Sequence, residues 1–112
     1  MKIEIHLSID KLIAVDELLQ KVYELPVSLD KRENVYKSIG YDLADTFNKK
    51  VKTQIKKANL FDEKRKKITL KYHEAWALEE ILKDLLEIYP PTNDYKKILL
   101  RSITDKLNQK LA

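Results

Sequence analysis

The chain has 112 residues, enough for one ordinary domain, and carries 22 basic against 18 acidic side chains for a formal net charge of +4. One glycine, no cysteine and two histidines (His6 and His73) exclude a glycine-rich phosphate loop, a disulfide frame, a thiolate zinc site and a cysteine nucleophile. No apolar run approaches the ~20 residues of a bilayer span, and Met1 to Asp10 lacks a contiguous apolar signal core, so a cytoplasmic protein is expected.

In chain order, Lys2 to Ile9 alternates polar and apolar residues. That period places Ile3, Ile5, Leu7 and Ile9 on one face of a strand, with Asp10 suited to cap a following helix. Leu12, Val15, Leu18, Leu19, Val22 and Leu25 then repeat at helical spacing until Pro26. Asp30, with Glu33 three residues on, is placed for a capping box. Tyr36, Gly40, Ala44, Phe47, Val51, Ile55 and Ala58 fall within about a 100° arc, which predicts one long helix over 31–58. Gly40 in that stripe weakens the helix by about 1 kcal/mol relative to alanine, and close packing against a neighbouring element accounts for it.

A connection from Asn59 to Arg65 leads to a second alternating run, with Ile68, Leu70 and Tyr72 set against Lys67, Thr69, Lys71 and His73. The next helix carries Trp76, Leu78, Ile81, Leu82, Leu85, Leu86 and Ile88 and stops at Pro90 and Pro91. Thr92, Asn93 or Asp94 caps a last helix with Ile98, Leu99, Ile103, Leu107 and Leu111 as its apolar set.

The order strand, helix, helix therefore occurs twice. Residues 15–25 laid on 78–88 match in every apolar position, with Glu17/Glu80, Leu19/Leu82 and Glu24/Glu87 identical. Residues 43–51 laid on 103–111 pair Leu43/Ile103, Phe47/Leu107 and Val51/Leu111, with Asp45/Asp105, Asn48/Asn108 and Lys50/Lys110 identical. Any two amphipathic helices can be slid into apolar register, so the repeated element order is the stronger half of the argument for a duplication. The expected architecture is a single α+β domain over 1–112. Two short strands, meeting as an antiparallel pair near a pseudo-twofold axis, are covered by four helices. Pseudo-repeats 1–51 and 66–112 are joined by a basic segment, 52–65.

Charge position says more than the total. Residues 1–48 hold 6 basic and 9 acidic side chains, residues 49–73 hold 10 and 2, and residues 74–112 hold 6 and 7. All of the excess positive charge thus lies in one central block of net +8. On a helix, Lys49, Lys50, Lys52, Lys56 and Lys57 cover about a 160° arc. Lys64, Arg65, Lys66, Lys67 and Lys71 extend the same basic face. Positive groups so spaced neutralise phosphates and release counterions, an attraction that is salt-sensitive and indifferent to base sequence. A solvated lysine face, helped by the helix C-terminal dipole, is the competing reading and needs no partner. The block holds one arginine, and its nearest aromatic is Phe61, which suits a phosphate backbone, an acidic protein surface or a ribonucleoprotein better than base-specific readout.

Catalytic groupings are sparse. His6 falls on the polar side of the first strand and His73 where the second strand gives way to helix, with no metal-ligand spacing around either. Asp62-Glu63-Lys64 contains an acid–any–lysine triplet of the kind nucleases use, but no second carboxylate is placed beside it. Ser8, Ser28, Ser38 and Ser102 lack a nucleophile-elbow context. Trp76 reads as core or as an interface anchor, and Tyr89 and Tyr95 as satellite packing or an exposed patch.

The stretch Ile68-Thr69-Leu70-Lys71-Tyr72-His73-Glu74-Ala75-Trp76-Ala77-Leu78, about a tenth of the chain, resembles small accessory proteins encoded by phages and mobile elements of AT-rich bacteria, anti-CRISPR proteins among them. The resemblance implies non-catalytic action by occupying a surface on a larger nucleoprotein, and it carries over no functional residue. The expectation is a non-enzymatic binding protein with no cofactor, no metal, no small-molecule substrate and no membrane partner. Its central basic face (49–71) docks on nucleic acid or on a nucleic-acid-handling protein complex. The alternative is a phage-type inhibitor that blocks a host defence protein, with the lysines steering encounter. A two-stranded edge is also open to pairing between chains.

Overall fold

The computed structural model describes residues 1–57 and 65–112, with the side chains of 55–57 left aside. In chain order, strand β1 (Lys2–Leu7) leads into helix α1 (Ile9–Leu19), which tightens into a 3-10 turn over Gln20–Glu24. Helix α2 (Lys31–Lys57), strand β2 (Lys66–Lys71), helix α3 (Tyr72–Ile88) and helix α4 (Asp94–Leu111) follow. The fold is α+β, as the alternation and helical spacing predict. Ala58, Phe61 and the Asp62-Glu63-Lys64 triplet lie outside the described residues.

The strands pair antiparallel in the register Lys2↔Lys71, Ile3↔Leu70, Glu4↔Thr69, Ile5↔Ile68, His6↔Lys67 and Leu7↔Lys66. Alternation turns Ile5, Leu7, Ile68 and Leu70 inward, where each is at least 96% buried. Two strands are not stable alone. Here β1 packs on α1, α3 and α4, and β2 packs on α3, so four helices supply most of the core. Leu12, Val15, Leu19 and Val22 meet Leu43, Ala44 and Phe47 of α2, Leu78, Ile81, Leu82 and Leu85 of α3, and Leu100, Ile103 and Leu107 of α4 in that core. Gly40 lies where α2 passes closest to its neighbours. A β-carbon there would stand 2.3 Å from Ile81 Cδ1 and 3.3 Å from Val22 Cγ2.

Element ends differ from the sequence reading in instructive ways. Ser8, not Asp10, caps α1: its hydroxyl accepts the Lys11 N–H at 3.3 Å and its carbonyl the Leu12 N–H at 2.9 Å. The strand stops at Leu7, and Ile9 becomes the first helical residue although its place in the alternation fits the strand. Asp30 does accept the Arg32 N–H at 2.9 Å, but its own N–H goes to Ser28 Oγ at 3.0 Å, so the reciprocal bond to Glu33 is not made. Tyr72 likewise leaves the strand pattern and opens α3. Glu74 draws the chain into that turn by accepting the Lys71 N–H at 2.8 Å, while the Tyr72 hydroxyl donates to the Leu111 carbonyl at 2.7 Å. Asn93 is the α4 cap, accepting the Tyr95 N–H at 2.8 Å. On α4, Ile98 is 65% exposed and Leu100, at 1%, fills the core position instead. Trp76 is half-buried, its ring edge-on to Tyr36 at 5.9 Å with the Arg32 guanidinium 5.4 Å from its centroid.

Two buried carboxylates occupy corresponding places in the two strand–helix–helix units. Asp16 on α1 accepts from Asn48 of α2 at 3.3 Å and from Gln20 at 3.1 Å. Glu79 on α3 accepts from Asn108 of α4 at 3.0 Å and from Lys83 at 2.6 Å. Burial demands such partners, because an unpaired charge away from water is costly.

Candidate functional site

The basic face is assembled by the end of α2 and the two ends of β2. The long helix brings Lys49, Lys50 and Lys52 into its described C-terminal turns, with Val51 turned into the core at 6% exposure. Lys56 and Lys57 continue the same helix, while their side chains, like the whole of Lys64, fall outside the described residues. Arg65 is exposed immediately before β2.

The fold draws together residues far apart in sequence. Lys49, Lys50, Thr53 and Gln54 of α2 and Lys66 of β2 line one shallow hollow of about 250 Å³. Lys66 reaches it because it sits on the helix-facing side of β2, two residues before Ile68, the first buried residue of the strand. Three lysines therefore line one concavity together with a threonine and a glutamine. Lys49 is partly compensated by Asp45 at 3.0 Å, an exposed pair of small energetic weight. Among the described residues, no carboxylate stands within ion-pairing distance of Lys50 or Lys66.

Lys67 and Lys71 go elsewhere. The two-residue period turns them, with Thr69, to the open face of the sheet, where Lys67 lies 3.7 Å from Glu4. Lys71 stands at the far end of β2, directly across from Lys2. The described basic residues between 49 and 71 thus fall on two surfaces, a hollow at the end of α2 and the open sheet face. Sequence reasoning left out Lys2 and His6, both exposed on that face. Their positions in the alternation of β1 were legible, but the strand register is needed to set them beside Lys71 and Lys67.

Other surfaces offer less chemistry. A cleft of about 380 Å³ between α1 and the α3–α4 connection is lined by Leu18, Tyr89, Pro90 and Pro91. Its charged groups are already engaged, Lys96 with Glu17 and Lys21 with Glu24 and the Tyr89 ring. His6 and His73 are exposed, and among the described residues no three His, Asp or Glu side chains are grouped as metal ligands would be. No helix among the described residues is long and apolar enough to cross a membrane. No family model matches the chain, and neither a curated protein nor a solved structure is detectably similar to it.

Proposed function

We propose that this is a non-enzymatic, cytoplasmic binding protein that docks through its central basic face on nucleic acid or on a nucleic-acid-handling protein complex. The observation that carries the reading is the convergence of Lys49, Lys50 and Lys66 on one hollow. Among the described residues neither Lys50 nor Lys66 has an acidic partner, so a phosphate group seated in the hollow gains charge-assisted contacts that the fold itself does not use. Gln54 adds a neutral carboxamide donor suited to phosphate oxygens, while the Thr53 hydroxyl already donates to the Lys49 carbonyl at 3.0 Å. Lysine rather than arginine gives charge without bidentate base recognition, so affinity is expected to be broad across sequences.

The test is binding of short RNA and DNA to the parent and to a Lys49→Glu, Lys50→Glu, Lys66→Glu variant. Binding at about 50 mM salt that the variant loses supports the proposal, and equal binding by both sinks it.

A second reading, a phage-type inhibitor of a host defence protein, is favoured by the loop between the 3-10 turn and α2. Val27 and Leu29 there are 88% and 106% exposed, the kind of apolar contact a partner protein covers. It predicts one stable protein complex and little affinity for naked nucleic acid.

A further inference from the structure

The two strands form a ribbon with one face on the helices and the other uncovered. Lys2, Glu4 and His6 from β1 and Lys67, Thr69 and Lys71 from β2 are all exposed on that open face. Among the described residues Glu4 is its only acid, and Arg65 adds a further cation just before β2. Like charges directly opposite on a sheet destabilise it, yet Lys2 faces Lys71. Among the described residues no carboxylate lies within ion-pairing distance of either. The fold gains nothing from this pair. An external polyanion does.

We infer that the open face of the β1–β2 ribbon enters the major groove of duplex DNA. This rests on the nucleic-acid reading above and narrows it to one partner. The major groove, about 12 Å wide, admits a two-stranded ribbon, whereas the deep, narrow major groove of A-form RNA does not. With the strands running along the groove, Lys2 on β1 and Lys67 and Lys71 on β2 stand on opposite edges of the ribbon and so face opposite walls. Lysines at the ribbon ends then reach phosphates on both walls. Thr69, midway between them, meets the base edges, where a threonine hydroxyl accepts either hydrogen-bonding partner and its methyl group packs on thymine. The hollow formed by Lys49, Lys50 and Lys66 lies at the Lys66 end of β2, on the side of the strand away from the open face, where it takes a backbone phosphate outside the groove.

Lys2→Glu separates this role from any structural one. It converts the Lys2–Lys71 repulsion into an attraction, so the variant melts at or above the parent temperature. In the same variant, affinity for a short DNA duplex at about 50 mM salt falls at least about tenfold. The parent binds that duplex at least about tenfold more tightly than an RNA duplex of the same sequence, and it protects guanine N7 atoms from dimethyl sulfate. Equal affinity for the two duplexes, or unprotected guanine N7, overturns the inference. So does undiminished DNA binding by Lys2→Glu. If charge reversal at Lys49, Lys50 and Lys66 still abolishes binding in those cases, the basic-face reading stands without the ribbon. Absence of binding to any nucleic acid removes both.

Discussion

Gly40→Ala tests the packing at the crossing of α2 over α1 and α3. In an isolated helix the change is favourable by about 1 kcal/mol, since alanine loses less backbone freedom. Here the new β-carbon would lie 2.3 Å from Ile81 Cδ1, and carbon atoms rest at about 3.5–4.0 Å, so the methyl must retreat by more than about 1 Å. Ile81 is fully buried, which leaves that retreat to an off-rotamer side chain or a shifted helix at about 1–3 kcal/mol. Val22 Cγ2 at 3.3 Å must also give slightly. The net expectation is destabilisation of about 1 kcal/mol, seen as a fall of roughly 4 °C in melting temperature. Ile81→Val deletes the obstructing methyl at its own cost of about 0.5–1.5 kcal/mol. In that background Gly40→Ala should change sign and stabilise. A double-mutant cycle by urea denaturation measures the coupling. Stabilisation by Gly40→Ala in both backgrounds, with no coupling, would falsify the close approach.

Ser8→Ala should cost about 1 kcal/mol, because it removes the α1 cap, and Asp10→Ala should cost less, since Asp10 only faces the helix dipole; thermal melts rank the two. Asn108→Leu should destabilise by about 1–3 kcal/mol, leaving Glu79 at 4% exposure with Lys83 alone. Asn48→Leu should cost less, since its contacts to Asp16 are longer at 3.3 and 3.4 Å; urea denaturation would show the order. The Tyr36 hydroxyl is raised far above the ordinary tyrosine range by burial, then by its 2.7 Å hydrogen bond to Asp84, and Lys83 is raised by its hydrogen bond to Glu79. Groups raised in the folded state contribute full stability below their unfolded values, near 10, and lose it as pH rises past them. Stability measured between about pH 9 and 11 should therefore fall, and less steeply in Tyr36→Phe.

Much of the architecture was legible because it rests on periodicity. The inward set Ile5, Leu7, Ile68 and Leu70, the buried stripe through Tyr36, Ala44, Phe47 and Val51, and the close approach at Gly40 all follow from spacing alone. Element ends were less legible because they depend on single hydrogen bonds. Ile9 and Tyr72 continue the strand alternation, and only Ser8 Oγ and the Glu74 carboxylate reveal where the helix takes over. Hydropathy also hid Asp16 and Glu79, since a buried acid with polar partners scores as surface.

The basic block was visible as a +8 run, but its division was not. Lys66 and Lys67 are neighbours in sequence and point to opposite sides of β2, so one joins Lys49 and Lys50 while the other joins His6 on the open face. Only strand register connects Lys71 to Lys2.

The most direct measurement of the central claim is the salt dependence of nucleic-acid binding, compared between the parent and a Lys49→Gln, Lys50→Gln, Lys66→Gln variant. If these lysines hold phosphates, log affinity falls linearly with log salt in the parent, and the slope shrinks by roughly one for each phosphate contact removed. An affinity indifferent to salt, or a variant whose slope and affinity equal those of the parent, would contradict the account.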